Sequence, residues 1–134
     1  MADVTAADLA AVPIFAGLDE SGLAVLAERF EAKTVSEGVQ LVGEGASGYS
    51  FFVLQQGEAL VTAGGAEVAT LGAGDFFGEF ALLGDGRRQA TVTTKTPAQV
   101  LVLFGTAFRQ LQQEHPDVAD QIESAMRERA AALG

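Results

Sequence analysis

The chain has 134 residues, 49% of them hydrophobic, and a net charge of −10, which predicts one acidic domain with enough apolar residues for a core. This charge argues against nucleic acid as a partner, because binding a phosphate backbone requires a basic surface. The chain lacks cysteine, an 18-residue apolar run and, in residues 1–18, the pattern of a secretion signal, so we expect a cytoplasmic domain without disulfides, thiolate metal sites or membrane spans.

The first 31 residues have the pattern of short helices. Thr5 is a candidate N-cap for a helix through residues 8–11, and Asp19 is a candidate N-cap for a second helix. The apolar face of the second helix extends to about residue 31 and consists of Leu23, Val25, Leu26 and Phe30. These helices are predicted to pack on the elements that follow.

Short β-rich runs follow, separated by glycine turns. They cover residues 33–36, 39–42, 49–55, 59–63, 67–71, 90–94 and 100–104. Seven or eight short strands at roughly ten-residue spacing are typical of an antiparallel sandwich or barrel.

Residues 72–94 interrupt these runs with five glycines and a short apolar run at residues 80–83. That run is long enough for a single helical turn beginning after Gly78. The free amides and positive dipole end of such a turn favour an anion such as phosphate, and Gly78 lets a ligand approach the backbone closely.

Two charged side chains flank this turn. Glu79 would repel a phosphate in direct contact, so a neutral hydroxyl is its more natural partner. Arg88 follows a glycine turn, and its guanidinium matches two oxygens of one phosphate. The pair suits a ligand with a hydroxyl on one side and a single phosphate on the other.

Two helices are predicted at the C-terminal end of the chain. Thr106 is a candidate N-cap for the first, through residue 113, and Pro116 can open the second. The second helix has acidic residues first and arginines last, which complements its dipole. Arg127 points away from its apolar side, whereas Arg129 falls on that side with Val118, Ile122, Ala125, Met126 and Leu133.

The glycine-rich segment resembles the phosphate-binding cassette of cyclic nucleotide-binding domains, as in catabolite-activator-type regulators, protein kinase A regulatory subunits and nucleotide-gated channels. The matching residues are Phe77-Gly78-Glu79-Phe80-Ala81-Leu82-Leu83 and then Arg88-x-Ala90-Thr91-Val92. The resemblance implies a mainly β fold: an eight-stranded antiparallel jelly-roll barrel with an N-terminal helical segment, a short cassette helix and two C-terminal helices. It implies one domain, residues 1–134, with helices in 1–31, the β-roll in 32–104, the cassette in 77–92 and helices in 105–134.

By this resemblance, Glu79 holds the ribose 2′-hydroxyl and Arg88 the cyclic phosphate, and the amides of Phe80 and Ala81 assist beside Gly78. Gln89 stands where the family usually has a small residue, which leaves affinity and the choice between cAMP and cGMP open. Two further apolar residues are either pocket lining or ordinary core, namely Val61 and Leu71. In the family the final helix closes over the base, so Arg129 either stacks on a purine or meets solvent or a carboxylate.

The leading hypothesis is a regulatory domain that binds a cyclic nucleotide and needs no cofactor. Of the two common ligands, cAMP is expected in preference to cGMP. Ligand capture would reposition the C-terminal helix, which would signal to an effector protein or to a second copy of the chain. The alternative is a ligand-free structural or dimerisation module with the same fold. An enzyme is not expected, because one histidine, His115, cannot supply the ligands of a cupin-type metal site.

Overall fold

A computed structural model of the chain describes residues 4–42, 50–77 and 90–133, and in these residues eight strands form two antiparallel sheets. The strands are β1 (Phe30–Val35), β2 (Gln40–Val42), β3 (Ser50–Gln56), β4 (Ala59–Ala63), β5 (Ala66–Leu71), β6 (Phe76–Phe77), β7 (Thr91–Thr94) and β8 (Ala98–Phe104). The first sheet has the order β1-β8-β3-β6 and the second the order β2-β7-β4-β5. The predicted mainly β fold with antiparallel sheets and flanking helices is confirmed.

The helices flank the sheets in sequence. They are α1 (Ala6–Ala10), a 3-10 turn (Pro13–Phe15), α2 (Glu20–Ala27), α3 (Gly105–Glu114) and α4 (Pro116–Leu133). Thr5 and Asp8 cap α1 reciprocally, and the carboxylate of Asp19 accepts a hydrogen bond of 2.7 Å from the Gly22 amide at the start of α2. The predicted caps at Thr5 and Asp19 and the predicted helix start at Pro116 are therefore confirmed.

Two predicted helix boundaries are wrong, and one strand was not predicted. Helix α2 ends at Ala27, and Phe30 begins β1 opposite Leu103, because its ring is buried against other aromatic rings in the core. Helix α3 begins at Gly105, directly after β8, so Thr106 is not its N-cap. Strand β6 was not among the predicted runs.

Strand β8 is the centre of the core because it is covered on both faces. Leu101 and Leu103 belong to a core on the helix side of the first sheet, whereas Val100 and Val102 belong to a second core. Side chains alternate between the two faces of a strand, so a strand buried on both sides is apolar without a break. We call the second cluster the inter-sheet core; it consists of Leu54, Ala59, Phe77, Val92, Ala98, Val100 and Val102.

The helix-side core joins the N-terminal and C-terminal helices to the first sheet. Phe15 of the 3-10 turn contacts the rings of Phe30 and Phe51 edge-on, at centroid distances of 6.0 and 6.5 Å. Helix α4 packs against α3 and against the 3-10 turn, burying Ile122 and Met126. Within the described residues, no helix is both long enough and apolar enough to cross a bilayer.

Candidate functional site

The glycine-rich segment begins with a tight turn after β5. Its carboxylate residue, Asp75, accepts a hydrogen bond of 2.8 Å from the Gly72 amide, and the Asp75 amide donates to the Gly72 carbonyl at 3.1 Å. The turn is also joined to β3, because the Leu54 amide donates to the Asp75 carbonyl and the Gly74 amide donates to the Leu54 carbonyl, both at 2.8 Å. The backbone is therefore fixed just before β6.

Strand β6 lies at the edge of the first sheet and pairs with β3. Phe77 is opposite Phe52 in the register, and the two rings stack with centroids 5.0 Å apart and planes 8° apart. Phe77 is 7% exposed and belongs to the inter-sheet core. The last described residue before position 78 is thus held by both backbone pairing and ring stacking.

The last residues of the glycine-rich segment form β7, which is in the other sheet. Strand β7 lies between β2 and β4, and Val92 is buried opposite Val61. At the far end of β7, the Thr94 hydroxyl donates to the Ser36 carbonyl at 2.7 Å and accepts from the Val39 amide at 2.8 Å. Residues 78–89 therefore connect an edge strand of one sheet to an interior strand of the other.

Two of the predicted pocket residues are described. Val61 on β4 and Leu71 at the end of β5 are half-buried and pack against the inter-sheet core. Both are in the sheet that contains β7. This position is compatible with either interpretation of the two residues, pocket lining or core.

The other predicted contacts lie partly or wholly outside the described residues. The backbone of Arg129 lies in α4, but its side chain is outside the described part of the structure. Six predicted ligand contacts lie outside the described residues, namely Gly78, Glu79, Phe80, Ala81, Arg88 and Gln89.

The residues that position the segment were not among the predicted site residues. Asp75 follows Gly72 by three positions, and an aspartate that hydrogen-bonds to a nearby backbone amide is a common turn signal, so this role was predictable from the sequence. The stack of Phe52 on Phe77 and the bonds of Thr94 depend on strand register, which the sequence does not reveal.

Helix α4 is the other element of interest. Ala119, Ile122 and Met126 are buried, and Val118 and Ala125 pack against the same core, so the predicted apolar side is confirmed for these described residues and gains Ala119. Arg127 lies away from the apolar side, as predicted, and pairs with Glu123 at 3.1 Å. Among the described side chains, no group of three potential metal ligands comes together.

The described framework is that of a helix-flanked β-roll in which residues 78–89 join strands of the two sheets. Residues 32–115 match the sequence model of the cyclic nucleotide-binding domain, and the chain belongs to that family. The family resemblance predicted from the cassette is confirmed.

Relatives and solved structures agree with this assignment. A cAMP-dependent protein kinase regulatory subunit of Yarrowia lipolytica is 42% identical over 102 residues, 75% of this chain and 27% of that protein. A co-crystal structure of the regulatory domain of Toxoplasma gondii PKA with cAMP superposes with a TM-score of 0.77 at 26% identity, covering 92% of this chain and 48% of that one. The N-terminal domain of a transcriptional regulator from Streptomyces coelicolor superposes with a TM-score of 0.77 at 28% identity, covering 90% and 88%. The chain spans about a quarter of the length of the curated relatives it matches first.

Proposed function

We propose that this domain is a cytoplasmic regulatory domain that binds a cyclic nucleotide through residues 77–92. We expect cAMP, in preference to cGMP, to be its ligand. The observation that carries the proposal is the family match over residues 32–115, because it includes the whole cassette. Within the cassette the acid and the arginine keep the spacing of the family. The preference for cAMP follows the similarity to protein kinase A regulatory subunits.

The chemistry of the proposed site divides between two side chains. The carboxylate of Glu79 accepts a hydrogen bond from the ribose 2′-hydroxyl, and the guanidinium of Arg88 donates two to the cyclic phosphate. The amides of Phe80 and Ala81 donate to the same phosphate at the start of a helical turn, where the backbone dipole favours an anion. A domain with a net charge of −10 needs this local positive charge to hold an anionic ligand.

The described framework supports the placement of the cassette. Phe77 and Val92, on either side of residues 78–89, are in different sheets, and both belong to the inter-sheet core. Val61 pairs with Val92, close in sequence to the cassette arginine, and Leu71 ends the neighbouring strand. These half-buried residues supply an apolar wall for the nucleoside.

The proposed output is a movement of α4. Ligand held by the cassette would recruit α4, with Arg129 stacked on the purine, and the ligand would favour this closed state only if it binds that state more tightly. The closed helix would then present a changed surface to an effector protein or to a second copy of the chain. No catalytic step is part of this function.

Isothermal titration calorimetry with cAMP and cGMP tests the site. We expect Arg88→Ala to weaken binding on the order of 100-fold and Glu79→Ala at least about tenfold, because each loses charge-assisted hydrogen bonds. Arg87→Ala is the matched control, since it removes the neighbouring positive charge outside the family motif. Wild-type affinity in both site variants would refute the assignment.

The departure at Gln89 favours one alternative, a ligand-free structural or dimerisation module. Thermal unfolding with millimolar cAMP and cGMP separates the two functions. A ligand that binds only the folded state at about 100 times its Kd stabilises it by about 2.7 kcal/mol. An unchanged melting temperature with both nucleotides would favour the ligand-free module.

A further inference from the structure

A groove of about 360 Å³ lies between the 3-10 turn and α4, and no residue of β6 or β7 lines it. Its floor is apolar and consists of Ile14, Leu18 and Ile122, all at least nine-tenths buried. Its rim is polar and carries two carboxylates, those of Asp120 and Glu128, on the exposed side of α4. The groove thus combines an apolar base with a negatively charged edge.

The rim carboxylates have no ionic partner among the side chains that the structure describes. Asp120 and Glu128 are exposed, and neither forms an ion pair with any described residue. The nearby Arg127 is already paired with Glu123. The whole chain has 18 acidic and 8 basic residues, so the wider field of the domain reinforces the negative potential at this edge.

We propose that this groove docks a segment of another polypeptide that carries a large aliphatic side chain flanked by lysine or arginine. The aliphatic group would contact the floor, and the basic groups would pair with Asp120 and Glu128. The volume is near the lower end of the range of about 300–1,000 Å³ that holds small ligands, so it suits one or two side chains and not a whole helix.

Charge complementarity selects this occupant over others. Anionic lipid headgroups and nucleic acid would be repelled by the rim. A second copy of the chain is also a poor match, because it is equally acidic. The basic, aliphatic segment therefore belongs to a different protein.

Docking of the segment at this groove would be coupled to nucleotide binding. This consequence rests on the proposed function. One wall of the groove belongs to the 3-10 turn and the other to α4, so a displacement of α4 changes the width of the groove. By linkage, a nucleotide that favours one position of α4 changes the affinity for the segment, and the segment changes nucleotide affinity by the same factor.

Two variants test the groove without removing core residues. An added Cβ at Gly17 would meet no atom within 4 Å, so Gly17→Trp can place a large side chain at the groove without a clash at Cβ. Asp120→Lys combined with Glu128→Lys reverses the rim charge. The matched control is Glu31→Lys combined with Glu67→Lys, which makes the same charge change at exposed positions on β1 and β5.

The probe is a fluorescein-labelled amphipathic peptide made only of leucine and lysine, followed by fluorescence anisotropy. We expect the rim variant and Gly17→Trp each to weaken binding about tenfold, and the control less than about twofold. Equal weakening by both charge-reversal variants would show attraction to the overall acidity and would refute the groove. If Gly17→Trp does not fold, the rim variant and amide chemical-shift mapping decide. Peptide-induced shifts confined to residues outside the 3-10 turn, its following loop and α4 would also refute it.

The coupling is tested separately by repeating the titration with saturating cAMP. We expect the peptide Kd to change at least about threefold. An unchanged value, with cAMP binding verified by calorimetry, would refute the coupling. Absence of cAMP binding would instead refute the proposed function, and the groove variants would still decide the docking proposal.

Discussion

The rings of Phe52 and Phe77 stack nearly parallel, with centroids 5.0 Å apart, across the pair of strands β3 and β6. Strand β6 has only two residues, so backbone pairing alone gives it few hydrogen bonds. The stack supplies the apolar contact that holds this edge against the inter-sheet core. It also fixes the point from which the chain continues into the cassette.

Phe77→Ala should reduce the free energy of unfolding by about 3 kcal/mol, because it removes a ring that is 7% exposed and leaves a cavity. We also expect weaker cAMP binding by the folded variant, since the start of the cassette loses its support. Urea denaturation and calorimetry measure the two effects. Phe77→Leu is the control and should cost less, because it keeps most of the apolar volume. A stability loss below about 1 kcal/mol for Phe77→Ala would contradict this role.

Gly57→Ala should destabilise the domain by about 3 kcal/mol. Gly57 has a φ of +95°, and an added Cβ would lie 2.6 Å from the Pro97 carbonyl oxygen and 2.9 Å from the Ala98 Cβ. Gly38→Ala is the matched control, because Gly38 has a φ of +80° with no atom within 4 Å of its added Cβ. Its cost should be about 1–2 kcal/mol, the backbone strain alone. Equal melting temperatures for the two variants would contradict the predicted clash.

Thr94→Val should reduce the free energy of unfolding by about 2 kcal/mol. The Thr94 hydroxyl, in a residue that is 2% exposed, satisfies both the Ser36 carbonyl and the Val39 amide, and valine leaves the shape unchanged but both groups unpaired. Thr94→Ser keeps the hydroxyl and should recover part of this loss. Chemical denaturation of the two variants checks the order, and a valine variant as stable as the wild type would exclude the role of the hydroxyl.

Arg129→Ala should weaken cAMP binding about fivefold to tenfold if the guanidinium stacks on the purine, since stacking of this kind is worth about 1 kcal/mol or more when desolvated. Arg127→Ala, two residues earlier, is the control, because Arg127 is exposed and paired with Glu123. Calorimetry on both variants measures the difference. Unchanged affinity for Arg129→Ala would exclude its proposed contact with the base.

Gln89→Ser should bind cAMP at least as tightly as the wild type. Serine restores the small side chain that the family usually has after the cassette arginine and keeps the backbone amide. The same calorimetric titration, run with cAMP and cGMP, also reports any change in preference between them. A large loss of affinity would show that the Gln89 side chain itself contacts the ligand.

Much of the fold was predictable because its signals are local. Capping by Thr5 and Asp19 follows from side chains that reach amides three residues away. Apart from β6, every strand in the described residues overlaps one of the predicted β-rich runs, which are bounded by turn residues. The errors involve contacts distant in sequence: Phe30 is opposite Leu103, and β6 exists because Phe77 pairs with Phe52. A two-residue strand has no periodicity to detect.

For the candidate site, the family could be predicted from the sequence, but the supporting contacts that depend on strand register could not. The spacing of Glu79 and Arg88 predicted the family, which the match over residues 32–115 confirms. The ligand contacts themselves stay predictions, because those residues lie outside the described part of the structure. The supporting hydrogen bonds of Asp75 and Thr94 join segments whose proximity is set by the turn and the strand register.

Pro116 prevents α3 and α4 from forming one continuous helix, because proline has no amide hydrogen to donate to a carbonyl of the preceding turn. His115, just before it, has a φ of −139° and a ψ of 67°, far from helical values. Helix α3 stays anchored by the buried Phe108 and Leu111 and by the 2.9 Å ion pair from Glu114 to Arg29. The proposed movement of α4 therefore requires a backbone change at His115 and release of the buried contacts of Ile122 and Met126, while α3 keeps its intrahelical bonds.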